Sequence, residues 1–352
     1  GADYAFLCSI SYRQVMAAHK LIADQEGNLV FLSKENDSNG CTGTVDISYP
    51  SAPMFLLLNP EYVKAMLRPV FRFAGCPVWE YDFAPHDVGR YPYAAGQVYG
   101  LGKEGENREF CYDNGAIFPF YYEYPAGLSV YDVRDQMPVE ESGNMMILTA
   151  AVCELERSGA FAAPYYEVLK TWAGYLLAYG EDPGEQLCTD DFAGHLAHNT
   201  NLAVKAIMGI KAFARILELL GDDSESMRYR SQAAAMAAVW ETTARGKGHT
   251  ALTFGDTDSW SLKYNLVWDR FFGNPLFSGD IISGDLAWYV EKCGEYGTPL
   301  DSRSSYTKSD WILWCASMAG DKEMFQALTA PVAAYVRETE SRVPFSALQQ
   351  AH

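Results

Sequence analysis

The feature that most constrains this chain is an alternation in the spacing between its helical segments. From about residue 139 onward, apolar residues recur at helical periodicity, and Gly, Asp and Pro punctuate the segments. Gly159, Gly221-Asp222-Asp223 and Gly320 close tight hairpins, whereas about 10 to 20 residues separate one hairpin from the next. Antiparallel helices joined in this way put every short turn at one end of the assembly and every long loop at the other. The expected fold is therefore all-α, a toroid of helical hairpins with its long loops gathered at one end. The spacing predicts helices over 10–24, 60–74, 140–158, 161–179, 199–220, 224–244, 258–272, 281–296, 308–319 and 322–338.

Before residue 139 the pattern changes. Leu29 to Ser33 reads as a strand, Pro53 to Leu58 is an apolar run, and the stretch 76–138 is dense in Tyr, Phe, Pro and Gly. A connection of that length inside a compact domain is usually functional, and it is expected to be an ordered excursion across the loop-bearing end. One domain over 1–346 and a terminal tail at 347–352 account for the chain.

Composition narrows the function. A net charge of -18 without any basic run argues against a nucleic-acid partner, because phosphate binders need clustered Lys and Arg. No apolar run is long enough to cross a membrane, and the first residues lack the succession of a signal peptide. The start Gly1-Ala2-Asp3 is compatible with a longer natural protein. The eight cysteines are scattered, without CxxC or Cys/His spacing for zinc. Cys153 sits in an apolar helical run, where a buried free thiol is expected. Neither a metal nor a cofactor is expected, and the partner is a small-molecule substrate.

Polar clusters that break helix periodicity fall in the long loops or at the helix starts that follow them. They are Asp46 to Pro50 with Tyr49, Pro85 to Pro92 with His86, Asp87 and Arg90, and Pro138 to Asn144 with Glu140 and Glu141. Two more are Thr189 to Asn199 with Asp190, Asp191, His195 and His198, and Asp301 to Trp311 with Arg303, Lys308 and Asp310. Alternating hairpins would bring all of them to one acidic, aromatic-lined mouth.

Two carboxyls held apart across such a mouth suit general acid and base work, because burial and mutual repulsion drive their pKa values apart. One of Glu140 and Glu141, paired with one of Asp190 and Asp191, is the expected catalytic set. In each doublet one member can cap the helix while the other faces the pocket, and simple capping of both is the plainer alternative. Asp46, Tyr49, His86, Asp87, Arg90, Asn144, His195, Asn199, Arg303, Lys308, Asp310 and Trp311 are the expected substrate contacts. His195 and His198 lack the i, i+4 helical geometry and glutamate of a zinc hydrolase. No GxSxG elbow occurs, and Ser305-Tyr306-Thr307-Lys308 matches SxxK without its companion motifs. Trp268, inside a helical segment, is expected in the core.

Taken together, Asp46 to Pro50, PHDVGRYP at 85–92, MPVEESGNM at 137–145, QLCTDDFAGHLAHNTNLAVKAI at 186–207, YNLVWDR at 264–270 and PLDSRSSYTKSDWILW at 299–314 resemble the six-hairpin domain of the glutaminase A family. The similarity runs from about residue 3 to residue 346, and six motifs in order make it far more specific than any one alone. The resemblance implies an (α/α)6 toroid of the kind shared with many glycoside hydrolases. It further implies hydrolysis of L-glutamine to glutamate and ammonia, export from the cytoplasm, and an additional N-terminal β-rich domain in the full-length protein. An inverting glycosidase and a non-catalytic ligand-binding domain are the alternatives: the first predicts carboxyls across an elongated, tryptophan-lined cleft, the second acidic doublets fully engaged as helix caps.

Overall fold

The computed structural model describes residues 1–35, 39–102, 120–190, 194–339, 346 and 348–352. The chain opens with α1 (Ala2–Ala17) and an antiparallel hairpin of β1 (His19–Ala23) and β2 (Leu29–Ser33). Four helical pairs follow: α2 (Val45–Leu58) with α3 (Pro60–Ala74), α4 (Pro138–Glu156) with α5 (Tyr166–Tyr179), α6 (Thr200–Leu220) with α7 (Asp223–Thr243), and the short α8 (Val267–Phe271) with α9 (Gly279–Glu291). Strand β3 (Tyr306–Lys308), α10 (Ser309–Ser317), α11 (Lys322–Glu338) and β4 (Leu348–Gln350) complete the chain.

Burial separates two rings. Every residue of α4 from Pro138 to Cys153 is buried, and α6 is buried from Thr200 to Ala214. Helices apolar on all sides belong inside, and these two pack on each other. In α7 the buried positions are Ser226, Tyr229, Ala233, Met236, Ala237 and Trp240, a single stripe at helical spacing with charged residues on the other face. That pattern marks an outer helix. The inner members are α2, α4, α6, α8 and α10, each followed by an outer partner. The inner ring closes where Tyr49 of α2 meets Trp314 of α10, 5.1 Å between ring centroids.

The turns follow the same logic. Asn59 alone separates α2 from α3, and Gly221, in the left-handed conformation at φ 86°, ends α6 just before α7. These tight turns lie at the C-terminal ends of the inner helices. The long connections 75–137, 180–199, 244–263 and 292–305 all lead into inner helices or their flanking turns. The N-termini of the inner helices therefore share the loop-bearing end, and that is where the clusters picked from the sequence lie.

Four local expectations are corrected. The predicted helix 10–24 is α1 ending at Ala17, and the chain then enters β1. The apolar run 53–58 is the second half of α2, which begins at Val45 and contains Pro50 and Pro53. Each proline removes a backbone donor, so propensity argues against a helix that packing nevertheless imposes. The segment 258–272 is helical only from the 3-10 turn Tyr264–Leu266 onward. The terminal tail carries β4, antiparallel to β3. Trp268 and Cys153 are buried in the core, Cys153 as a free thiol.

Candidate functional site

The site is built on the first turns of inner helices, whose unpaired N–H groups carry partial positive charge. In α4, Glu140 and Glu141 follow Pro138 at the helix start. Neither caps it, because Met137 occupies the cap position and no side chain closes it. Both point into the ring and are buried, at 1% and 0% exposure. Capping, the plainer reading of this doublet, does not hold.

Glu140 is held by a residue absent from the expected contacts. The ammonium of Lys205, in the second turn of α6, forms an ion pair with Glu140 Oε1. Lys205 also donates to Asn144 Oδ1 at 2.8 Å, and Asn144 Nδ2 donates to Glu140 Oε1 at 3.2 Å and to Glu141 Oε2 at 3.0 Å. The Lys205 side chain is fully buried, with its ammonium 4.1 Å from the centroid of the Tyr49 ring. Tyr49 itself is buried and donates to Asn265 Oδ1 at 2.9 Å, so it supports Lys205 from below and does not reach a substrate. Glu140 Oε1 takes both of these donors.

Space for Lys205 comes from Gly143. A Cβ there would stand 2.5 Å from Lys205 Cγ and 3.3 Å from the Lys205 carbonyl oxygen. Gly143→Ala is expected to cost about 1–3 kcal/mol through this overlap, which a denaturant unfolding curve would register as a lower midpoint at unchanged slope.

Glu141 Oε1 is buried without a hydrogen-bond partner, and so is Asp46 Oδ1 at the start of α2. Burial, reinforced by the charges of Asp46 and Glu140, pushes the Glu141 carboxyl well above the usual range. His86 approaches Asp46 Oδ1 through Nε2 at 3.7 Å, while its Nδ1 lies 3.0 Å from Asp87 Oδ2. Asp87 is saturated by backbone donors: Gly89 N and Val98 N reach Oδ1, and Tyr99 N reaches Oδ2. Its function is to fix His86, not to meet a substrate. Burial disfavours the imidazolium, yet Asp87 and Asp46 outweigh it and raise the His86 pKa.

Asp190 is 9% exposed and accepts a hydrogen bond from Tyr264 at 2.7 Å through Oδ2, with Oδ1 unpartnered. Burial lifts its pKa to about 7; Tyr264 and Lys308 pull it down and the charge of Glu140 pushes it further up. Lys308, 8% exposed, sits 3.7 Å from Asp310 Oδ2. Burial opposes its charge, but Asp310, Asp190, Asp46 and Glu140 together raise its pKa. The structure thus brings Asp46, His86, Glu140, Glu141, Asn144, Asp190, Lys308 and Asp310 into one electrostatically coupled group.

Other expected contacts are corrected. Asn199 is the N-cap of α6, its oxygen taken by Asn201 N and Leu202 N. Arg303 grips Asp301 with Nε at 3.0 Å and Nη2 at 2.6 Å, and Nη2 also reaches the Asp190 carbonyl oxygen at 3.5 Å, so the guanidinium braces the Asp190 backbone. Trp311 is fully buried and stacks on Tyr264 at 3.9 Å, so it backs Asp190's partner and lines no pocket. Arg90 and His195 are exposed, and the Arg90 backbone bridges to Cys41 and to Tyr93. His198 is exposed and bonds Asp182. Asp191 lies outside the described residues. Lys205, Tyr264 and Gly143 were missed; a single Lys inside the apolar run Leu202 to Ile207 was the available signal for the first.

Two apolar grooves lie elsewhere on the molecule. A groove of about 1050 Å³ runs between α1, α2 and α11, and a smaller one of about 390 Å³ lies among the C-terminal ends of α2, α4 and α10. Neither touches the acidic group. Site chemistry concentrates where polar atoms are buried and unpartnered, not where the volume is greatest.

The family model described as the glutaminase A six helical-hairpin domain matches residues 1–352. Glutaminase A of Aspergillus oryzae is 33% identical over 99% of this chain, and a probable glutaminase of Arthroderma benhamiae is 26% identical over 98%. The chain spans about half the length of these curated relatives, 46% of each. A solved glycosidase structure, of a glutamate-to-alanine variant in complex with glucose, is similar with a TM-score of 0.49 at 12% identity, over 88% of this chain and 82% of that one.

Proposed function

Because the chain belongs to the glutaminase A family through its six helical-hairpin domain, we propose that it is a hydrolase acting on the side-chain amide of L-glutamine, with Glu140 as base and Asp190 as acid. The observation that carries this assignment is the asymmetry of the two carboxyls. Glu140 is paired with an ammonium, whereas Asp190 holds its proton up to about pH 7 and has one oxygen free. A carboxyl that keeps its proton near neutral pH is suited to act as the acid, and one held by an ammonium to act as the base.

In the proposed reaction Glu140 takes a proton from water as the water oxygen bonds to the amide carbon. Asp190 then passes its proton to the amide nitrogen, the carbon–nitrogen bond breaks, and ammonia leaves glutamate behind. Proton exchange with solvent restores both groups. The helix N-termini and Lys308 favour the α-carboxylate of an amino acid, and Asp310 faces its ammonium. With Asp46, Asp190 and Lys308 each below 10% exposure, the mouth suits a small solute better than a polymer. Trp311 and Trp268 are buried and offer no sugar platform.

The purified chain is expected to release ammonia and glutamate in equal amounts from L-glutamine and to leave chromogenic glycosides intact. Turnover of a glycoside, or no turnover of glutamine, would overturn the assignment.

A further inference from the structure

Three segments distant in sequence deliver a ligand set that neither the proton chemistry above nor any relative's description uses. Asp46 comes from the first turn of α2, His86 from the loop after α3, and Glu141 from the first turn of α4. One ligand atom from each lies within 4.8 Å of the other two, and all three residues are buried. We propose that Asp46, His86 and Glu141 bind a divalent transition cation, Zn²⁺ or Mn²⁺, beside the hydrolytic pair. This inference does not rest on glutamine being the substrate.

Two independent observations carry it. Asp46 Oδ1 and Glu141 Oε1 are buried and have no hydrogen-bond partner, at 8% and 0% residue exposure. A buried carboxyl oxygen left unpaired is costly, and two such oxygens near one imidazole nitrogen form a ready donor set for a shared cation. The second observation is the setting of His86. Its Nδ1 is engaged by Asp87 at 3.0 Å, Asp87 is pinned by three backbone N–H groups, and the ring stacks on Tyr99 at 4.0 Å. With Nδ1 engaged by Asp87, a neutral His86 carries its proton there and offers Nε2 to a cation on the Asp46 side. Ligands bonded at about 2.1 Å to one ion lie roughly 3.4 Å apart at the tetrahedral angle, and the His86 Nε2 to Asp46 Oδ1 spacing is 3.7 Å. One imidazole with two carboxylates suits borderline cations better than Mg²⁺ or Ca²⁺, which prefer all-oxygen shells. Cys41 also lies near His86 and Asp87, but that set would compete for the Nδ1 already held by Asp87.

The test is calorimetric titration of the chelator-treated whole chain with ZnCl₂ and with MnCl₂. One saturable site is expected for at least one of them. Asp46→Asn and Glu141→Gln, which keep shape and remove charge, should each abolish saturation, and Asp87→Asn should weaken it by about 10- to 100-fold. Thermal unfolding without cation shows whether each variant is folded. Should a variant fail to fold, electron spin-echo modulation of Mn²⁺ on the unaltered chain decides the matter: modulation from one imidazole nitrogen is expected. No saturable site, binding indifferent to Asp46→Asn and Glu141→Gln, or a Mn²⁺ spectrum without nitrogen coupling would each overturn the proposal.

Discussion

Replacing Lys205 with Met is expected to lower the stability of the chain by about 3–5 kcal/mol, the usual consequence of stripping one partner from a buried ion pair. The side chain is fully buried, and its ammonium is the group that offsets Glu140 in a region that also holds Glu141 and Asp46. Removing it leaves Glu140 Oε1 with only the amide of Asn144 and takes the cation from the Tyr49 face. Methionine fills most of the volume, so the loss is electrostatic more than a matter of packing. Lys205→Met combined with Glu140→Gln should therefore regain most of the stability, because the uncompensated charge is gone. Denaturant unfolding of the two variants measures both steps. If Lys205→Met unfolds like the unaltered chain, Glu140 is not being held as a charge, and its assignment as base fails with it.

Lys205 also marks where sequence reading stopped. The alternation of short and long connections was enough to predict the hairpins α4–α5, α6–α7 and α10–α11 and to send the polar clusters to one end, because both follow from chain geometry alone. Helix α2 was hidden by Pro50 and Pro53, whose local cost is overridden by burial of Tyr49, Ala52 and Phe55. Side-chain direction was hidden too. Trp311 and Asp310 are adjacent, yet one is packed behind Tyr264 and the other is partly exposed beside Lys308, a difference of helical phase that no composition reveals. Asn199 satisfied every expectation of a substrate contact and is a helix cap, since the same short amide side chain serves both purposes. Asp46, His86 and Glu141 were expected at one end with the other clusters but not as a set of three ligands, because they sit about 40 and 55 residues apart and no spacing motif describes ligands gathered across three segments.

Asp190→Asn is expected to reduce turnover by about 10²- to 10⁴-fold, the range that positioned acid catalysis supplies. Asparagine keeps the acceptor for Tyr264 but has no proton to give to the departing nitrogen. The pH dependence identifies the role. With its pKa near 7, the acid is in its working form below that value, so turnover by the unaltered chain should fall as pH rises through about 7. The residual activity of Asp190→Asn should lack that fall. Stability moves by the same linkage: a carboxyl raised from 3.8 to about 7 in the folded state binds its proton more tightly there than when unfolded. It therefore favours the fold at acid pH, and this contribution is lost progressively between roughly pH 4 and 7. Asp190→Asn removes the titration, so the variant should show a flatter stability profile over that window and be no less stable than the unaltered chain at pH 8. A purely structural Asp190 would instead give lower stability at every pH and a turnover profile of unchanged shape.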